Sequence, residues 1–266
     1  FLPGRYAGVK FRSGKQPVLD VSNPAGVSKE ARKSVLDALE KLNGLEADRT
    51  GDPDVTTRIK AYEMAARMQT SVPELTDMST EDPKVLERYG VDPEKGTFAS
   101  NCILARRLVE RGARFVQLID GGWDMHDNVP SALPRKARDV DKGLGALVGD
   151  LAERGLLEDT LIVVASEFGR TPHCQGAFNR ESYGRDHHPL AAGVLMAGGG
   201  VKSGLTYGKT DDWGWDVIEN PVHIHDIQAT ALHCLGLNHE RLTTRHQGRD
   251  FRLTDVAGNV INDILT

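Results

Sequence analysis

The sequence predicts an α/β fold with a mostly parallel central sheet, and three features carry that expectation. After residue 113, short apolar runs rich in β-formers alternate with an amphipathic helical segment. The run DTLIVVAS (159–166) is apolar almost without interruption, the pattern of a strand buried on both faces. The connection to it from the earlier run ARFVQLID (113–120) is about 40 residues long, which suits a right-handed crossover through a helix.

The opening FLPGRYAGVKFRSGKQPVLDVSNPAGVS is rich in Gly, Pro and Ser and reads as a loop feeding a helix. Ser28 can cap a helix over 29–43, with Val35, Leu36, Leu39 and Leu42 on one side and Asn43-Gly44 closing it. A second helix follows Pro53 over 54–70 and places Ile59, Met64 and Met68 near one face, where the methionines read as core. Gly96-Thr97 opens a third, FASNCILARRLVERG, with Phe98, Cys102, Ala105 and Val109 at helical spacing and Gly112 as its stop. The chain therefore divides into a mainly helical part, 28–112, and an α/β part, 113–266, of a single domain spanning 1–266.

In the second part, 113–120 reads as a strand. A helix through 133–155 follows, with Val140, Leu144, Leu147, Val148 and Leu151 inward. The strand 159–166 and a third, LAAGVLMAGG (190–199), come next. IHDIQATALHCLGL makes a last helix with Ile227, Ala231, Cys234 and Leu235 inward, and His225-Asp226 at its start.

Composition narrows the function classes. A net charge of −5 gives no basic field, which argues against nucleic acid as the main partner. No apolar stretch approaches the roughly 18 residues needed to span a membrane. Cys102, Cys174 and Cys234 lack CxxC spacing, so neither a zinc ribbon nor a disulfide framework is indicated.

Open α/β sheets bind ligands beyond the carboxyl ends of their strands. There the sequence places DGGWDMHDN, SEFGRTP and YGRDHHP, each offering acid together with imidazole or guanidinium. Asp124 and His126 are two apart and point the same way in extended backbone. Glu167 projects at a strand end. Asp186 and His187 form a further acid–imidazole pair, and His188 faces away from His187. Carboxylates converging in a cleft repel one another, and a divalent ion removes that penalty. Mixed His and carboxylate ligands suit Zn²⁺ or Mn²⁺ better than Ca²⁺. Arg170 and Arg185 stand beside them as fork-shaped donors for a phosphate or sulfate ester. Each signal also has a plainer reading: Asp-x-His as a turn, Glu167 as a cap or an Arg170 salt bridge, Asp186-His187 as a structural pair.

His173, His239 and His246 read as solvated loop residues, and Trp123, Trp213 and Trp215 either as packing or as a stacking surface for a sugar. Ser166 and Thr171 are the nearest hydroxyls, but neither lies in a GxSxG elbow. AGGGVKSG lacks the spacing of a P-loop.

The segments ELTDMSTEDPKVLERYG, CILARRLVERGARFVQL, GGWDMHDN, SEFGRTP, GRDHHPLAAGVLMAGGGVKSG, HDIQATALHCLGL and HQGRDFRLTDVAGNV together resemble the DUF1501 family, proteins abundant in planctomycetes and related bacteria. The family is similar to sulfatases of the alkaline phosphatase superfamily. The resemblance implies an α/β sandwich around a mostly parallel sheet, hydrolysis or transfer of phosphate or sulfate groups at one or two divalent ions, and export from the cytoplasm. It maps metal ligation onto Asp124, His126, Glu167, Asp186 and His187. Phe168 stands where a further ligand would be. It also implies that the nucleophile and one metal ligand belong to a segment that precedes residues resembling FLPGRYAGVKF, so this chain is expected to hold part of a site and an incomplete sheet. Two functions follow as expectations: a metal-dependent hydrolase of phosphate or sulfate esters, or a non-catalytic binder of sulfated or phosphorylated glycans on the same fold.

Overall fold

A computed structural model describes residues 8–12, 18, 26–51, 53–92 and 95–266. Most of the opening stretch read as a loop lies outside the described residues. The chain forms two compact units that divide between Gln117 and Leu118.

The first unit is helical. α1 (Lys29–Thr50) starts at Ser28, whose Oγ accepts the Ala31 N–H at 3.1 Å. It does not stop at Asn43-Gly44. A glycine costs a helix interior only about 1 kcal/mol relative to alanine, and Leu45, Glu46 and Ala47 are good helix formers. The helix runs on to Gly51, whose φ of 62° closes it with its N–H on the Ala47 carbonyl.

α2 (Pro53–Thr76) likewise outruns 54–70. Among the described residues, Val72 and Leu75 near its C-terminal end are buried, and Met64, expected in the core, is 42% exposed. α3 (Pro83–Tyr89) was not anticipated, although its signature is present: the Asp82 carboxylate caps it by accepting from Lys84 N–H at 2.8 Å, with proline in its first turn. α4 (Phe98–Glu110) opens with a reciprocal Thr97–Ser100 capping box. Tyr89, Cys102 and Ile103 are wholly buried in this unit.

One polar cluster is buried with them. Arg106 and Arg107 both donate to Glu81 Oε1 at 2.5 Å. Arg106 also reaches Glu110 at 2.9 Å, and Arg107 donates to the Leu75 and Asp77 carbonyls at 2.8 Å. Burial pushes the Glu81 carboxyl up, but Arg107 and Arg106 outweigh it and hold the group below its ordinary range.

The second unit mixes helix and strand. α5 (Val129–Glu153) buries Val129, Ala146, Leu147 and Leu151 along one face. The strands are short: β1 (Ile162–Val164), β2 (Gly169–Arg170), β3 (His187–His188), β4 (Leu195–Ala197), β5 (Lys209–Thr210), β6 (Val217–Glu219), β7 (Thr243–His246) and β8 (Arg249–Arg252), with α6 (Ile224–Cys234) between β6 and β7. Asp226 caps α6 by accepting the His223 N–H at 2.8 Å. The same carboxylate holds the Asn259 N–H at 2.7 Å, which ties the chain's end to this helix. Leu235, expected inward, lies just past the helix and is 58% exposed.

The sheet departs from the expected one. Among the described residues every ladder is an antiparallel pair: β1 with β4, β2 with β3, β5 with β6, and β7 with β8. The apolar runs 159–166 and 190–199 each hold a strand of three residues, β1 and β4, but the segment between them doubles back through β2 and β3, and β4 returns beside β1 in the opposite direction. The run 113–120 forms no ladder. Its composition suits a strand, but a strand also needs a neighbour, and Phe115 and Ile119 stand 84% and 82% exposed. Among the described residues, no helix is long and apolar enough to cross a membrane.

Candidate metal centre

The centre lies in the second unit, where three segments are laced side by side. The β2–β3 pair puts Arg170 opposite His187 and Gly169 opposite His188. It continues through the Thr171 N–H to the Asp186 carbonyl at 2.9 Å, and through a reciprocal Gln175–Gly184 bridge at 2.8 Å in both directions. The loop before α5 lies along the other edge of 182–185. Arg185 N–H donates to the Met125 carbonyl at 3.1 Å, Asn128 N–H to Ser182 at 3.1 Å and Val129 N–H to Tyr183 at 3.0 Å.

Gly184 makes this lacing possible, because a Cβ there would fall onto the His126 carbonyl. Gly169 has the same role against the Ala191 carbonyl. The loop's entry is fixed by Asp120, which accepts from Lys136 at 2.8 Å and from the Trp123 indole at 2.7 Å.

This frame brings three side chains to one point. Asp124 Oδ1 lies 2.9 Å from His126 Nε2 and 2.9 Å from His187 Nε2, and the two Nε2 atoms are 3.1 Å apart. The rings are tilted by 44° at 4.9 Å between centroids, so they converge tip to tip and do not stack. Arg170 donates to the same Asp124 oxygen at 2.7 Å. The His187 and Arg170 hydrogen bonds together pull the Asp124 carboxyl down to about 2.

Two imidazole nitrogens and a carboxylate oxygen form a ligand set that suits Zn²⁺ or a similar transition ion better than oxygen-seeking Ca²⁺. Ligands bound at about 2.0–2.1 Å in a tetrahedron stand roughly 3.3 Å apart. The three observed separations fall within a few tenths of an ångström of that. The residues fit an ion, and three protein ligands leave a position open for water or substrate.

The other expected site residues are placed differently. Asp186 is adjacent: its Oδ1 accepts the His187 N–H at 2.8 Å and lies 4.0 Å from His126 Nδ1. Glu167 is exposed and stands outside the three-atom cluster. Arg185 donates through one nitrogen to the Thr171 and Pro172 carbonyls and lies over the Tyr183 ring. His188 points away from the cluster, is 2% exposed, bonds the Trp215 carbonyl at 2.6 Å and packs on the Trp215 ring. Ser166 and Thr171 give their hydroxyl protons to the Phe168 and His173 carbonyls, at 2.7 and 3.0 Å. His239, expected to be solvated, is buried, with Nδ1 3.0 Å from the Thr254 hydroxyl.

Phe168, which the family resemblance singles out, packs its ring 4.3 Å from that of His187 and lies under Arg170. Sequence reasoning missed one neighbour: Gln175 Oε1 lies 2.5 Å from His126 Nδ1. It carries no charge, so it did not stand out among titratable groups.

No curated protein and no solved structure matches this chain. A family model does, described as "Protein of unknown function (DUF1501)", and it covers residues 1–265. With nearly its whole length matched, the chain belongs to the DUF1501 family.

Proposed function

We propose that this chain carries the metal-holding part of a metal-dependent hydrolase of phosphate or sulfate esters. The convergence of Asp124 Oδ1, His126 Nε2 and His187 Nε2 supports the reading more than any other observation. In it, Asp124, His126 and His187 hold a divalent ion, Zn²⁺ or Mn²⁺. The bound ion supplies Lewis acidity toward an ester oxygen and lowers the pKa of a water.

The charge balance favours an anionic substrate. The Asp124 carboxylate is matched by Arg170, so a divalent ion held there would make the pocket cationic. Arg170, bonded to Asp124, is the better placed of the two arginines to meet an anion, because Arg185 is turned to the Thr171 and Pro172 carbonyls. The reading also includes an alkaline-phosphatase-like sandwich, supported by the alternation of helix and strand along residues 129–252.

The test is turnover. Metal-loaded full-length protein incubated with aryl phosphates and aryl sulfates should release the phenol, and His126→Ala should abolish release. Stoichiometric metal with no turnover on either panel would sink the hydrolase.

A second reading has its own support. Phe168 packs on His187 where a further ligand would stand, and the two nearby hydroxyls are engaged with backbone carbonyls. On that basis the site binds sulfated or phosphorylated glycans without cutting them. Calorimetry separates the readings: tight binding of a sulfated oligosaccharide without turnover favours the second.

A further inference from the structure

We infer that Gln175 is a positioning residue that fixes the tautomer of His126, so that its Nε2 presents a lone pair to the metal centre. The inference rests on the metal-centre reading above and adds to it a residue with no charge and no ligand atom of its own.

Nδ1 of His126 lies 2.5 Å from Gln175 Oε1 and 4.0 Å from the Asp186 carboxylate. Both are oxygen acceptors. An amide oxygen has only lone pairs to offer, so the contact requires a proton on Nδ1. A neutral imidazole with Nδ1–H has a bare Nε2, and Nε2 is the atom that faces Asp124 and His187. His187 then fills the complementary role without an ion. Its Nε2–H donates to Asp124 Oδ1 at 2.9 Å, with the bare His126 Nε2 3.1 Å away.

Gln175 is held where it can do this. Its backbone makes both hydrogen bonds of the bridge to Gly184, and Gly184 is the residue whose missing Cβ lets the His126 backbone lie alongside. The amide and the imidazole it orients are thus tied to the same central segment. A partner on the far ring nitrogen sets the orientation and basicity of metal-binding histidines generally, and its loss weakens metal affinity by about 10–100-fold.

Two measurements on the whole chain test this. ¹⁵N NMR of the histidine-labelled, metal-free protein, at a pH where imidazoles are neutral, should show His126 protonated on Nδ1. Gln175→Leu should shift it toward the Nε2–H form. Zinc affinity, from competition with a chromophoric chelator, should fall roughly 10–100-fold in Gln175→Leu and should be restored by Gln175→Glu, which keeps an acceptor. Circular dichroism on both variants confirms that the fold is retained. An Nε2–H tautomer in the wild type, or zinc affinity unchanged in Gln175→Leu, overturns the inference. If the wild type takes up no zinc, the metal reading fails, whatever the tautomer shows.

Discussion

Asp124 and His187, 63 residues apart in the chain, meet with Oδ1 and Nε2 2.9 Å from each other. Neither residue is buried. Their meeting is enforced by backbone, through the 124–129 and 169–175 segments that flank the 182–188 segment. The contact therefore reports on the integrity of that lacing as well as on the chemistry of the two groups.

Removing a ligand should cost more than removing a supporting hydrogen bond. Asp124→Ala, His126→Ala and His187→Ala should each weaken zinc binding by more than the ~10–100-fold typical of an outer-shell loss. Chelator competition measures it. Glu167→Ala, outside the cluster, should change affinity far less.

The Asp124 carboxyl should titrate at about 2, as followed by its ¹³C shift. His187→Ala should raise that value most, and Arg170→Ala next, in the order of the bonds that depress it. The sign follows from linkage: a depressed carboxyl contributes stability in full above its ordinary value and loses it as pH falls through the folded value. The metal-free Asp124–His187–Arg170 arrangement should therefore persist below the ordinary carboxylate range and come apart as pH falls through about 2.

Gly184→Ala should displace the loop carrying Asp124 and His126, because the added methyl meets the His126 carbonyl and not a side chain that can move. We expect about 1–3 kcal/mol of destabilisation, with zinc affinity lost alongside. Gly193→Ala is the control: a Cβ there has nothing within 4 Å, so its effect should stay within about 0.5 kcal/mol. Urea melts of both variants decide the point.

In the helical unit, Glu81→Gln should be strongly destabilising. Glu81 is the shared partner of two buried guanidinium groups, and losing one side of a buried ion pair costs about 3 kcal/mol or more. Because Glu81 is held below its ordinary range, its contribution is present above that range and fades as pH falls. The stability gap between wild type and Glu81→Gln should therefore narrow on acidification. Equal gaps at neutral and acid pH would contradict this account.

The parts of this molecule legible in the sequence are those set by local chemistry. Ser28, Thr97 and Asp226 cap helices because short side-chain oxygens satisfy free backbone N–H groups, and that pattern needs no knowledge of distant residues. Asp124, His126 and His187 stood out as acid–imidazole pairs in loops. The direction of the sheet was not legible: the apolar runs at 159–166 and 190–199 mark strands, but periodicity carries no information about a partner or its direction. Gln175 escaped notice because its role depends on a bridge to Gly184 and on an imidazole 49 residues away. His239 was read as solvated because nothing near it in sequence announces Thr254.

X-ray absorption at the zinc edge, on protein reconstituted with one equivalent of Zn²⁺, reads the ligands of the bound ion. Two imidazoles and at least one oxygen should be found, with the second imidazole signal lost in His187→Ala. Zinc bound without imidazole, or an unchanged spectrum in that variant, would rule out a centre made by Asp124, His126 and His187.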